Sequence, residues 1–72
     1  MIKVDSTCIS EMEYDPESKT LILKYQPHGE LYEYLQVSLK DYKALENSES
    51  KGEFVNRVIK KKYPYRKLVD KY

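Results

Sequence analysis

The sequence predicts an α+β fold: a three-stranded antiparallel meander followed by two helices packed on one of its faces (β-β-β-α-α). Three observations carry this. Residues 9–35 form three short runs with apolar side chains at alternate positions, separated by turn residues. Ser38 and Ser50 each precede an apolar stripe with helical spacing. The connections between the three runs are too short for anything but antiparallel neighbours.

Met1 to Thr7 shows little periodicity and reads as a lead-in. In the first strand Met12 and Tyr14 alternate, while Ile9 is out of phase, so either Ile9 precedes the strand or a bulge shifts it. Asp15-Pro16-Glu17-Ser18 is a turn, with Pro16 fixing φ and Asp15 able to bond its own backbone. Thr20 to Tyr25 is the second strand, with Leu21, Leu23 and Tyr25 on one face and Thr20, Ile22 and Lys24 on the other. Gln26-Pro27-His28-Gly29 is the next turn. Glu30 to Leu35 is the third strand. Tyr32 and Tyr34 share a face opposite Leu31, Glu33 and Leu35. The charge on Glu33 turns that side toward water and the two tyrosines toward the helices, as core. On an exposed face the same pair would be a stacking platform for unpaired bases.

Ser38 caps the first helix, with Val37 and Tyr42 placed as a hydrophobic staple. Leu39, Tyr42 and Leu45 form its narrow stripe. Ser50-x-x-Glu53 is a capping box opening the second helix. At 100° per residue, Phe54, Val55, Val58 and Ile59 fall on one side, and Arg57, Lys60 and Lys61 on the other. Pro64 disfavours helix at Tyr63, so the helix stops near Lys61 and Tyr63-Pro64-Tyr65-Arg66 runs extended.

At 72 residues this is one domain spanning 1–72, small enough that nearly every large apolar side chain is needed in the core. Eight tyrosines, one phenylalanine and no tryptophan make tyrosine the main aromatic filler, and each buried hydroxyl needs a partner. No apolar run exceeds Leu21-Ile22-Leu23, which argues against a membrane span or a signal-peptide core. The single Cys8 cannot form an intrachain disulfide, which fits a reducing cytoplasm.

The net charge of +1 conceals a segregation. Residues 1–50 balance at −5, and residues 51–72 carry eight Lys or Arg against Glu53 and Asp70, a balance of +6. One basic end suits an anionic partner. It also suits a solvated helix face.

The chain resembles the KTSC domain family, found at the C-terminus of some lysyl-tRNA synthetases and as free-standing small proteins of bacteria and their phages. The resemblance runs from about residue 6 to 68, taken as the domain core. It rests on Tyr14-Asp15-Pro16-Glu17-Ser18, on Tyr32-Glu33-Tyr34, and on Tyr42 with Leu45. It continues through Ser50-x-Gly52-x-Phe54-x-Asn56-x-x-Ile59 and Tyr63-Pro64-Tyr65-Arg66. Ser38 stands where the family often has proline, and either residue can start a helix. The synthetase context implies RNA, single-stranded or tRNA, as a partner.

No catalytic constellation, metal-ligand set or phosphate-cradling glycine loop is read in the sequence, and no cofactor is expected. Cys8 reads as a half-buried filler and His28 as a solvated turn residue. Gly52 suits close packing of the preceding loop better than anion binding, because Glu53 would repel an anion. Asn56 suits a loop-holding hydrogen bond or a partner contact. Tyr63 is expected to anchor the tail, leaving Tyr65 free to stack. The functional expectation is a non-catalytic cytoplasmic RNA-binding module. Arg57, Lys60, Lys61, Lys62, Arg66 and Lys67 would contact phosphate, with Tyr65 stacking on a base. Tyr32, Tyr34, Gly52, Phe54, Asn56, Ile59, Tyr63 and Pro64 are family-motif positions expected to be structural. The rival is a protein-interaction module, such as a phage-encoded effector of a host protein.

Overall fold

A computed structural model describes residues 1–68. The fold is α+β, but the sheet has five antiparallel strands rather than three. In order these are β1 (Ile2–Lys3), β2 (Ile9–Asp15), β3 (Thr20–Tyr25), β4 (Leu31–Tyr34) and β5 (Tyr65–Leu68). Each strand pairs with the one before and after it. The expected lead-in thus contains an edge strand, Ile2 opposite Met12. The extended tail forms the other edge: after the helices it returns to lie beside β4, Tyr34 opposite Tyr65 and Tyr32 opposite Lys67. Both additions are short outer strands whose partners lie elsewhere in the chain.

The bulge is real: the β2–β3 register shifts between Ile9 and Glu11, which brings Ile9 onto the buried side with Met12. In the first turn Asp15 accepts from the Glu17 backbone N–H and the Ser18 hydroxyl, the local bonding that makes aspartate a turn residue. Gly29 closes the second turn at φ +75, a left-handed conformation, and donates its N–H to the Tyr25 carbonyl.

Between β4 and β5 run the helical segments. Helix α1 (Leu39–Asn47) starts at Ser38, whose hydroxyl accepts from the Asp41 N–H at 3.1 Å. Val37 and Tyr42, the staple residues, are both buried. The second helical run opens with α2 (Lys51–Phe54), capped by Ser50 accepting from the Glu53 N–H. It continues as a π-helical stretch, Val55–Ile59, and ends as α3 (Lys60–Lys62). Within it the Lys60 N–H reaches back to the Val55 carbonyl, the i→i+5 bond of a widened turn.

The core lies between the inner sheet face and these helices. Ile9, Met12, Leu21, Leu23 and Tyr34 from the sheet meet Val37, Tyr42, Leu45, Val55, Ile59 and Tyr63 from the helical side. Phe54 is only partly buried against this cluster, so Val55 and Ile59, not Phe54, fix the helix to the sheet. Tyr14 stacks on Tyr42 at 4.4 Å between ring centres and donates its hydroxyl to the Val37 carbonyl. The outer face carries charged cross-strand partners instead, Glu11 with Lys24 and Glu33 with Arg66.

Candidate nucleic-acid interface

The inner sheet face extends beyond the core at the end where β3, β4 and β5 meet. Alternation puts Tyr25, Tyr32 and Tyr34 on this face, and the pairing of β5 adds Tyr65 to the same row as Tyr34. The four rings form one cluster. Tyr25 meets Tyr32 edge-on at 5.3 Å, and Tyr65 lies tilted against Tyr32 at 5.7 Å and Tyr34 at 5.3 Å. Tyr34 is fully buried, while Tyr65 remains 53% exposed. The Tyr25 and Tyr34 hydroxyls share a hydrogen bond of 2.8 Å. Burial and this contact push the Tyr25 phenol far above its usual range.

These rings border an open cleft of about 420 Å³. Lys60 closes one side, its ammonium 5.7 Å from the centre of the Tyr25 ring. Cys8, Gln26 and Glu30 complete the lining. The Gln26 side-chain N–H donates to the Ser6 carbonyl, which fixes the amide and leaves its oxygen as an acceptor. Among the described residues the site therefore combines stacking surface, one cation and two acceptors.

Of the residues singled out from the sequence, Lys60 and Tyr65 meet in the cleft beside Tyr32 and Tyr34. The other cations do not gather there. Arg57 sits on the helix surface 3.3 Å from Glu53. Lys61 is exposed and makes no ion pair among the described residues. Lys62 bonds Asp41 at 2.7 Å, Arg66 bonds Glu33 at 2.6 Å on the outer sheet face, and Lys67 reaches Glu30 at 3.3 Å. Asp70 and Lys71, which enter the +6 balance, lie outside the described residues.

The remaining positions serve the frame. Gly52 faces the β1–β2 loop so closely that a Cβ there would stand 3.3 Å from the Cys8 Cβ. Cys8 itself is exposed, not half-buried, because it sits on this loop at the cleft rim. Asn56 is exposed, Ile59 is buried, and the Pro64 carbonyl accepts from the Leu35 N–H at 2.9 Å. Tyr63 is buried and donates its hydroxyl to Asp41, while the Ser38 N–H donates to Tyr63. These bonds, led by the one from Lys62, hold the Asp41 carboxyl below its usual range. Sequence reasoning missed Tyr25, Gln26 and Glu30 as site residues. The available signal was the placement of Tyr25 at the strand end, on the face of Leu21 and Leu23.

This arrangement defines a small α+β domain with helices on one sheet face and an aromatic cleft at the sheet end. The chain belongs to the KTSC domain family, whose pattern matches residues 5–63. A crystal structure of a KTSC domain protein from Yersinia pestis superposes with a TM-score of 0.86 at 33% identity, covering 93% of each chain. Lysine–tRNA ligases of Nostoc sp. and Nostoc punctiforme are 32% and 29% identical over 68 residues, or 94% of this chain. The chain spans 12% of the length of these ligases. β5 lies beyond the segment matched by the family pattern, while the ligases align over 68 residues of this chain. No helix among the described residues is long and apolar enough to cross a membrane.

Proposed function

We propose that this chain is a non-catalytic module that binds single-stranded RNA, with its cleft as the centre of contact. The observation that carries the reading is the juxtaposition of the exposed Tyr65 ring, Tyr32 and the Lys60 ammonium around one cleft. Aromatic faces beside a cation are the sequence-tolerant means of holding unpaired bases and their phosphates. The similarity to a segment of enzymes that act on tRNA points the same way. Lys60 and Lys61 supply the accessible charge. Arg57 contributes where a phosphate displaces its exposed partner Glu53, a pair worth under about 1 kcal/mol, while Lys62, Arg66 and Lys67 add to the positive field without leaving Asp41, Glu33 and Glu30.

The test is titration of a labelled single-stranded RNA at several salt concentrations. Two to three phosphate contacts give a slope of log K on log salt between about −1.4 and −2. Changing Lys60 and Lys61 together to Ala reduces the slope by about one unit. Tyr65→Ala costs about 1–3 kcal/mol of binding with little change in slope, because stacking releases no counterions. Absence of binding at low salt would overturn the reading and leave a protein partner as the standing alternative.

A further inference from the structure

The cleft is asymmetric in its hydrogen-bonding capacity, and that asymmetry selects among bases. Glu30 contributes a carboxylate, and Gln26 contributes a carbonyl oxygen whose amide end is already held by Ser6. The wall they form accepts hydrogen bonds. Between the Tyr25 and Tyr34 hydroxyls one hydrogen is used in their mutual bond, so this pair retains a single donor. Lys60 stands across the cleft as the one cation lining it among the described residues. Lys67, 3.3 Å from Glu30, offsets the carboxylate charge from outside the lining. A carboxylate has room for several hydrogen bonds, so Glu30 keeps Lys67 and still accepts from a ligand. With both lysines counted, the surroundings carry one positive charge in excess, which suits a nucleotide phosphate.

We infer that the cleft takes one unpaired guanine nucleotide, its base stacked on Tyr65 and Tyr32, its Watson–Crick edge on Glu30 and its phosphate toward Lys60. Guanine presents two adjacent donors, N1–H and the exocyclic amine, and a carboxylate accepts both. Adenine and cytosine each place a lone pair beside their amine, which Glu30 repels. Uracil offers one N–H between two carbonyls. A cleft of about 420 Å³ has room for one base and its sugar phosphate, not for a duplex. A cationic guest, which an aromatic cage otherwise favours, is opposed by Lys60 over Tyr25. This inference rests on the RNA-binding reading and adds a base preference to it.

The experiment measures binding of uridine-rich single-stranded oligonucleotides that differ only in a central G, A or C, together with free guanosine monophosphate. Wild type is expected to bind the G oligonucleotide about ten- to a hundredfold tighter than the A or C oligonucleotide. Glu30→Gln is expected to remove most of that preference while keeping a salt dependence at least as steep as wild type, because it also frees Lys67. The fold tolerates this change, because Glu30 serves the turn through its backbone carbonyl, which accepts from the Tyr25 N–H. A circular dichroism melt checks this. Equal affinities for the oligonucleotides with normal salt dependence would overturn the guanine assignment and spare the RNA reading. A preference unchanged by Glu30→Gln would overturn it too. Glu30-dependent binding of guanosine monophosphate without oligonucleotide binding would support the cleft assignment and overturn the RNA reading.

Discussion

Asp41 shows how one side chain can tie three elements together. It lies in the first turn of α1 with its side chain only 13% exposed. It accepts from Lys62 at the end of α3 and from Tyr63, the residue that leads into β5. Its carboxyl is held below the usual value of 3.8, chiefly by the Lys62 contact. A depressed carboxyl stabilises the fold above its unfolded value and loses that contribution as pH falls through the folded one. The Lys62 ammonium, raised by the same contact, contributes below its usual 10.5 and loses its share above it. Asp41→Asn should therefore cost about 1–2 kcal/mol at neutral pH, with the difference from wild type shrinking on acidification below about pH 4. Urea melts at neutral and acid pH check this, and a difference independent of pH would reject it. Of this network the sequence shows the N-cap and the tyrosine after the helix. It does not show that Asp41 and Lys62 meet, because their contact spans 21 residues and depends on where the second helical run ends.

At the scale of elements, what was legible was local. The Asp15 turn, the bulge at Ile9 and the Val37–Tyr42 staple each follow from residues within a few positions of one another. The edge strands were not legible, because two or four residues define no period of their own and gain their hydrogen bonds from distant partners. The π-helical stretch was also hidden, since a wheel drawn at 100° assumes the very bonds that it lacks. Its effect can be measured. A uniform helix gives Phe54 the same claim to the core as Ile59. The structure buries Ile59 completely and Phe54 only in part. Ile59→Ala should cost about 2–5 kcal/mol. Phe54→Ala should cost less than the 3–5 kcal/mol of a fully buried phenylalanine, in proportion to the surface it keeps in water. Urea melts of the two variants give the order, and a larger loss at Phe54 would contradict the placement of this helix.

The whole molecule is organised by tyrosine. A chain of 72 residues with one phenylalanine and no tryptophan fills its interior with rings that carry hydroxyls. Composition announces this dependence, and the structure gives four of the hydroxyls a partner within the protein. Tyr14 bonds the Val37 carbonyl, Tyr63 bonds Asp41, and Tyr25 and Tyr34 bond each other. The consequence is a domain sensitive to alkali. Tyr14, Tyr25, Tyr34 and Tyr42 all have phenols raised above the usual 10.0, with burial the leading cause in each. A phenol whose folded value is raised contributes stability below its unfolded value, and that contribution is lost as pH rises beyond it. Above about pH 10 the unfolded chain releases protons that the folded chain retains, so every further unit of pH favours unfolding. Small domains have only a few kcal/mol in reserve. Phenolate absorbance followed through an alkaline titration should therefore include a delayed second stage. In it Tyr14, Tyr25, Tyr34 and Tyr42 ionise together as circular dichroism reports loss of the fold. Tyr34→Phe removes one of the raised phenols and one partner of the Tyr25–Tyr34 bond. It should move the midpoint of the second stage toward higher pH relative to its own stability at neutral pH. Ionisation of all the tyrosines in a single stage near pH 10, with the fold intact, would show that these hydroxyls are open to water and would remove tyrosine burial as the basis of the core.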